Sequence, residues 1–182
     1  MYKEICYIFI FIQSFLNAQV APCFNPITAY NVVGQPSCIR NQDINADGNL
    51  DLLVTNFTAD VVTTFTGSGI GTFSLTNTYT PGTNPWNLNI ADFNNDSKTD
   101  MVVTNHGSSN ISVFIGLGSG TFSTAVNYSV SQYPRDVICD DFNGDGNIDL
   151  GIGYNTSNMI SIMLGNGTGS FIAPINYTTG GS

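Results

Sequence analysis

The sequence predicts an all-β fold: four-stranded antiparallel sheets of the propeller-blade kind, repeated every 49 residues. Three observations carry this expectation. An acidic nine-residue segment occurs three times at equal spacing, starting at Asp43, Asp92 and Asp141. Other positions keep the same period: Phe24, Phe73, Phe122 and Phe171; Tyr30, Tyr79, Tyr128 and Tyr177; Pro36, Pro85 and Pro134; Gly67, Gly116 and Gly165. Between them lie short runs rich in Val, Ile, Thr and aromatic residues, broken by Gly, Asn and Asp, with no sustained helical periodicity after the first 18 residues. A period of roughly 40–50 residues is that of a propeller blade or a solenoid turn.

Residues 1–18 read as a secretory signal peptide. Lys3 supplies the positive start. Ile5 to Leu16 is an apolar stretch of about twelve residues, too short to span a bilayer comfortably. Cleavage after Ala18 would leave a secreted, extracellular chain; an uncleaved anchor is the alternative. No later segment approaches membrane-spanning length. Cys6 leaves with the leader, so Cys23, Cys38 and Cys139 remain, an odd number. Cys23–Cys38 is the first pairing expected, because the two are close in sequence. The alternative is three buried small apolar side chains.

Residues 19–182 form the repeat region, with blades at about 36–80, 85–129 and 134–177. A leading strand around Phe24–Tyr30 corresponds to a blade's fourth strand. In the second blade the four strands are expected at Trp86–Ala91, Met101–Asn105, Ile111–Gly116 and Thr121–Ser129. Ile111, Val113 and Ile115 alternate with Ser112 and Phe114, which fits a strand covered on both faces. A lone blade cannot bury both its faces, so neighbours must stack on it. The turn Gly116-Leu117-Gly118-Ser119-Gly120 resembles a phosphate loop, but no Gly-Lys-Ser/Thr and no helix follow, so it reads as a hairpin.

The acidic segments lie between strands 1 and 2 of each blade. Oxygen-bearing side chains fall at positions 1, 3, 5 and 9: Asp43, Asn45, Asp47 and Asp51; Asp92, Asn94, Asp96 and Asp100; Asp141, Asn143, Asp145 and Asp149. The backbone carbonyls of Asn49, Lys98 and Asn147 would serve at position 7. An all-oxygen set suits a hard cation that takes roughly six to eight ligands, calcium (Ca2+) before magnesium or zinc, and three loops allow up to three ions. Like carboxylates about 4 Å apart repel by roughly 4 kcal/mol at an effective dielectric near 20, and a divalent ion reverses that sign. Nine of the thirteen acidic residues lie in these loops, so the net charge of −9 is mostly a metal-binding charge. Gly48 and Gly146 permit the sharp turn at position 6. Ser97 replaces that glycine in the second copy and Lys98 adds a positive charge, so the second site should be the weakest. An EF-hand needs a bidentate Glu at position 12 and flanking helices; Val54, Val103 and Ile152 stand there instead, inside apolar runs. Plain Asx-type turns are the alternative for one copy, and three copies in register argue against it.

Composition excludes other classes. Only Lys3, Arg40, Lys98 and Arg135 are basic, too few to track a phosphate backbone, so no nucleic-acid partner is expected. Charged residues make up 9% of the chain, against about a quarter in ordinary domains. Seven glycosylation sequons occur, at Asn56, Asn95, Asn110, Asn127, Asn155, Asn166 and Asn176. Asn95, inside an acidic loop, is the least suited to modification. His106 is the single histidine, so no Ser/His/Asp or Cys/His constellation can form, and the paired carboxylates belong to the loops; the chain is not expected to be an enzyme. The face opposite the acidic loops is free for a ligand. Trp86, Tyr133, His106 and Arg135 are its most anchor-like side chains. A multivalent lectin would be expected to repeat its aromatic platform, whereas Trp86 aligns with Ser37 and Arg135.

The run Asp-Phe-Asn-Gly-Asp-Gly-Asn-Ile-Asp-Leu at 141–150, followed by an apolar strand and Gly-x-Gly-x-Gly-x-Phe, is similar to the FG-GAP and VCBS repeats of integrin α-subunit-like β-propellers. The likeness covers roughly residues 24–177. It implies a secreted or cell-surface propeller with calcium in its strand 1–2 loops, acting in adhesion or in protein or carbohydrate recognition; a non-binding extracellular scaffold is the alternative. The Phe-Gly…Gly-Ala-Pro pattern of that family is not intact. Such propellers usually close with about seven blades, and three are present here, which implies a fragment, self-association or an open array.

Overall fold

Each period of the sequence folds into one antiparallel sheet, and the sheets follow one another along the chain. The computed structural model describes residues 28–180. The chain divides into two units, residues 1–31 and 32–182. Of the first, only residues 28–31 are described, and they carry no strand. The expected leader, Cys6, Cys23 and the start of the expected leading strand lie outside the described residues.

The first sheet holds β1 (Pro36–Gln42), β2 (Asp51–Asn56), β3 (Val61–Gly67) and β4 (Phe73–Tyr79). The second holds β5 (Pro85–Ala91), β6 (Asp100–Asn105), β7 (Asn110–Phe114) and β8 (Val126–Ser129). The third holds β9 (Pro134–Asp140), β10 (Asp149–Tyr154), β11 (Met159–Met163) and β12 (Ile175–Thr178). Every sheet is a meander in which each strand pairs only with its sequence neighbours. This is the all-β blade architecture that the 49-residue period predicts. Among the described residues no helix is long and apolar enough to cross a membrane.

Local chemistry explains the strand ends. Pro36, Pro85 and Pro134 each open a blade's first strand, where a missing N–H costs no interior ladder bond. The fourth strands differ from expectation. In the second blade the predicted Thr121–Ser129 run is broken into an isolated Gly116↔Phe122 bridge and the short β8. The third blade breaks in the same place, with an isolated Gly165↔Phe171 bridge before the short β12. At the second-blade break the Ser123 hydroxyl accepts the Ile115 N–H at 3.0 Å while its own N–H donates to the Ile115 carbonyl at 2.8 Å. A side chain thus takes over one rung of the ladder.

The core lies between sheets. Along β6 the side chains alternate: Met101 and Val103 join Leu53, Val62, Leu88 and Phe114 in the cluster shared with the first sheet, while Val102 faces the other way. Val102 packs with Ile111, Val113, Val137, Leu150 and Ile152 against the third sheet. All six residues of β6 are buried, which fits a central strand covered on both faces. Each large aliphatic side chain buried this way contributes about 1.5–3 kcal/mol.

Polar links between first strands reinforce the stacking. Ser37 Oγ donates to the Pro85 carbonyl at 2.9 Å, and Asn89 Nδ2 to the Val137 carbonyl at 3.2 Å. The Cys38 thiol donates to Asn87 Oδ1 at 2.9 Å, and Asn87 Nδ2 donates on to Asp136. Cys38 is therefore a free thiol bound to the neighbouring sheet, while the partner expected for it, Cys23, lies outside the described residues.

Candidate functional site

The three acidic loops share one conformation. The residue at position 4 takes a left-handed φ in each, Ala46 at 61°, Asn95 at 59° and Gly144 at 78°, and so does position 6, Gly48 at 86°, Ser97 at 64° and Gly146 at 86°. The glycine requirement at position 6 was legible in the sequence; the one at position 4 was hidden by Ala46 and Asn95. Ser97 carries the strain that Gly48 and Gly146 avoid.

The first aspartate organises each loop. Asp43 accepts the Asp47 N–H at 3.2 Å and the Gly48 N–H at 2.8 Å. Asp92 does the same for Asp96 and Ser97 at 3.1 and 2.7 Å, and Asp141 for Asp145 and Gly146 at 3.2 and 2.8 Å. Asn45, Asn94 and Asn143 each turn an oxygen to the N–H two residues on. Asp47, Asp96 and Asp145 do likewise toward Asn49, Lys98 and Asn147. These N–H groups hold carboxylates below the ordinary range: the Asn49 N–H acts on Asp47, the Lys98 N–H on Asp96 and the Gly146 N–H on Asp141.

Position 9 is different. Asp51, Asp100 and Asp149 are fully buried. One oxygen of each accepts the N–H of Ile44, Phe93 or Phe142, inside the loop, at 3.0, 2.8 and 3.1 Å. The other accepts the N–H of Gly67, Gly116 or Gly165, at the start of the glycine turn, at 2.9, 2.6 and 2.8 Å. Each carboxylate therefore latches the acidic loop to the hairpin beside it. A Cβ at Gly67, Gly116 or Gly165 would meet the carbonyl oxygen of Leu50, Thr99 or Ile148, which accounts for that glycine in every repeat. The loops also join neighbouring blades: Gly120 N–H donates to the Ile44 carbonyl at 3.0 Å, and Gly169 N–H to the Phe93 carbonyl at 2.8 Å.

The donor set fits a hard divalent cation in its chemistry. Every group is an oxygen, and the charges act on one another: burial pushes Asp100 up against the N–H groups of Gly116 and Phe93, and the Asp96 and Asp92 carboxylates add to the rise. Among the described residues, no three acidic, histidine or cysteine side chains form a metal cage by themselves. Each loop would rely on asparagine and backbone oxygens too, with ions taking lone pairs that the N–H groups leave free. In the second loop Lys98 Nζ lies 3.2 Å from Asp96 Oδ2, an internal cation on a candidate ligand.

A second constellation occupies the opposite face. Trp86 and Phe57 meet edge to face, with centroids 5.3 Å apart. His106 lies 5.6 Å from Trp86 and 5.0 Å from Tyr133. The Arg135 guanidinium sits 4.6 Å over the Trp86 ring and donates to Asn155 Oδ1 at 2.8 Å. All four anchor-like side chains named from the sequence thus come together. Phe57 was missed, although its place one period before His106 could have revealed it.

Comparison with known proteins follows this geometry. The FG-GAP-like repeat profile matches residues 43–103 and again 92–152, each match running from one acidic loop through the next. The chain belongs to the FG-GAP-like repeat family. No curated protein matches the chain in sequence. Two solved structures are similar to the chain at low identity. BBS1N, crystallised in complex with ARL6DN, gives a TM-score of 0.54 at 13% identity, covering 81% of this chain and 45% of that one. The Photorhabdus luminescens Tc holotoxin pore gives a TM-score of 0.46 at 18% identity, covering 77% of this chain and 7% of that one. This FG-GAP chain therefore spans less than half the length of either. Of its sequons, Asn56 is buried with its amide donating to the Val54 carbonyl and Thr63, whereas Asn127, Asn155, Asn166 and Asn176 are exposed.

Proposed function

We propose that this FG-GAP chain is a secreted, calcium-stabilised recognition module with no catalytic chemistry of its own. The observation that supports it best is the threefold recurrence of one loop conformation with one oxygen donor set. Bound ions would supply positive charge to each loop. The chain's own residues do the rest: the position-9 carboxylates fix the loop to its hairpin, and the loop's main chain holds the next blade through Gly120 and Gly169. Stiffening that side leaves the opposite face, with its aromatic cluster, as the recognition surface for an extracellular protein or carbohydrate.

The test is a calcium titration of the secreted chain followed by thermal unfolding. An ion bound only by the folded state adds about 2.7 kcal/mol at a hundredfold excess over Kd. The melting temperature should rise with calcium, much less with magnesium, and return with chelator. An unchanged melting curve would remove calcium from the reading.

A further inference from the structure

We propose that the cluster of Tyr133, His106, Trp86 and Arg135 is a binding site for a neutral saccharide, with Tyr133 as its stacking platform. This rests on the recognition-module reading and names the ligand class for that face.

Backbone strain singles out Tyr133. It holds φ at 58°, a left-handed conformation that bulky side chains rarely take. One period earlier Asn84 takes φ of 50° at the same place, and asparagine tolerates that region. The surrounding structure enforces the conformation: the Asn155 N–H donates to the Tyr133 carbonyl at 3.2 Å, as the His106 N–H does to the Asn84 carbonyl at 3.0 Å. Strain kept on an aromatic residue where the repeat offers a strain-free alternative points to use of the ring. The ring is 40% exposed, whereas Trp86, His106 and Phe57 are half-buried beneath and beside it.

The surroundings favour a neutral, hydroxyl-rich ligand. Exposed amides and hydroxyls flank the cluster in sequence, among them Asn155, Thr156, Gln132, Ser108 and Thr58, and the exposed Asp136 carboxylate beside Arg135 works against an anionic ligand. Arg135 is already engaged by the Trp86 face and by Asn155, so it is poorly placed to serve as a free anion receptor. The chain's net charge of −9 disfavours acidic ligands further. A sugar ring offers C–H groups to the tyrosine face and hydroxyls to the amides.

Trp86 is the only tryptophan in the chain, so its emission reports on this site alone. The experiment titrates calcium-loaded protein with neutral mono- and disaccharides, following Trp86 fluorescence and the amide resonances around Tyr133. Sialylated and sulfated sugars serve as charged comparators. Saturable shifts with one or more neutral sugars are expected. Tyr133→Asn should fold with an equal or higher melting temperature and weaken binding about tenfold or more, while Tyr133→Phe keeps it. Three results overturn the proposal: no response from either probe, response to charged sugars only, or binding unaffected by Tyr133→Asn. If calcium still raises the melting temperature in those cases, the module reading survives; if it does not, that reading fails separately.

Discussion

Replacing Asp100 with asparagine tests whether the buried position-9 carboxylate is a structural latch in its own right. Its two oxygens accept N–H groups from Gly116 at 2.6 Å and from Phe93 at 2.8 Å, with no solvent exposure. Asparagine keeps one acceptor and sets an NH2 group against the other N–H. Losing one charge-assisted bond costs about 1.5–3 kcal/mol, and the confronted donors add to that. Part returns, because burial already pushes Asp100 up and the neutral amide escapes that penalty. The net loss should be about 2 kcal/mol, or about 4–8 °C in melting temperature for a chain of this length. The assay is thermal unfolding in chelator and again in saturating calcium. The chelator measurement isolates the latch, and any extra loss in calcium reports on the residue as a ligand. An unchanged or raised melting temperature in chelator would refute the reasoning, since it would mean that burying the charge costs more than its bonds return.

Phe93 and Phe142 occupy the same repeat position, yet Phe93 is 2% exposed and Phe142 43%; Phe93→Ala should cost about 3–5 kcal/mol and Phe142→Ala under about 1, read by urea unfolding. Lys98→Gln removes the ammonium beside Asp96, so calcium affinity of the second loop should rise a few-fold by calorimetric titration, with the other loops unchanged. Burial pushes the Cys139 thiol up to about 12 from an ordinary 9.0; below 9.0 it is protonated folded or unfolded, and between the two values only the unfolded chain ionises. Its contribution to stability should therefore fall as pH rises through that window, and alkylation of the half-buried Cys139 at about pH 8 should be slower in the folded than in the urea-unfolded chain.

Much of the fold was legible because repetition states the same physical requirement three times. Pro36, Pro85 and Pro134 mark strand starts, and the acidic loops mark the first turns, at one spacing. The fourth strands were less legible: both later blades break after the Gly116↔Phe122 and Gly165↔Phe171 bridges, and since Ser123 stands at one break and Ile172 at the other, no single residue type marks the place. The loops were legible as a donor set, but not in their internal bonding. Nothing in the residue types says that Asp100 is buried and doubly bonded while Asp96 is exposed; that difference arises only when the glycine turn folds back to present the Gly116 N–H.

Agreement and divergence between repeats carry different information. Where the three copies agree, at Asp51, Asp100 and Asp149 or at Gly67, Gly116 and Gly165, the shared residue solves a problem of backbone geometry that every blade has. Where they diverge, no common folding problem dictates the choice. Ser37 becomes Trp86 and then Arg135; Phe57 becomes His106 and then Asn155; Gln35 becomes Asn84 and then Tyr133. These three divergent positions meet on one face: Phe57 and Trp86 edge to face, His106 against Tyr133, and Arg135 over Trp86 and bonded to Asn155. Packing alone would be served by repeating a single solution, as the acidic loops do. That the chain instead places its large aromatic and basic side chains here, one of them on a strained backbone, separates this face from the scaffold that every blade repeats.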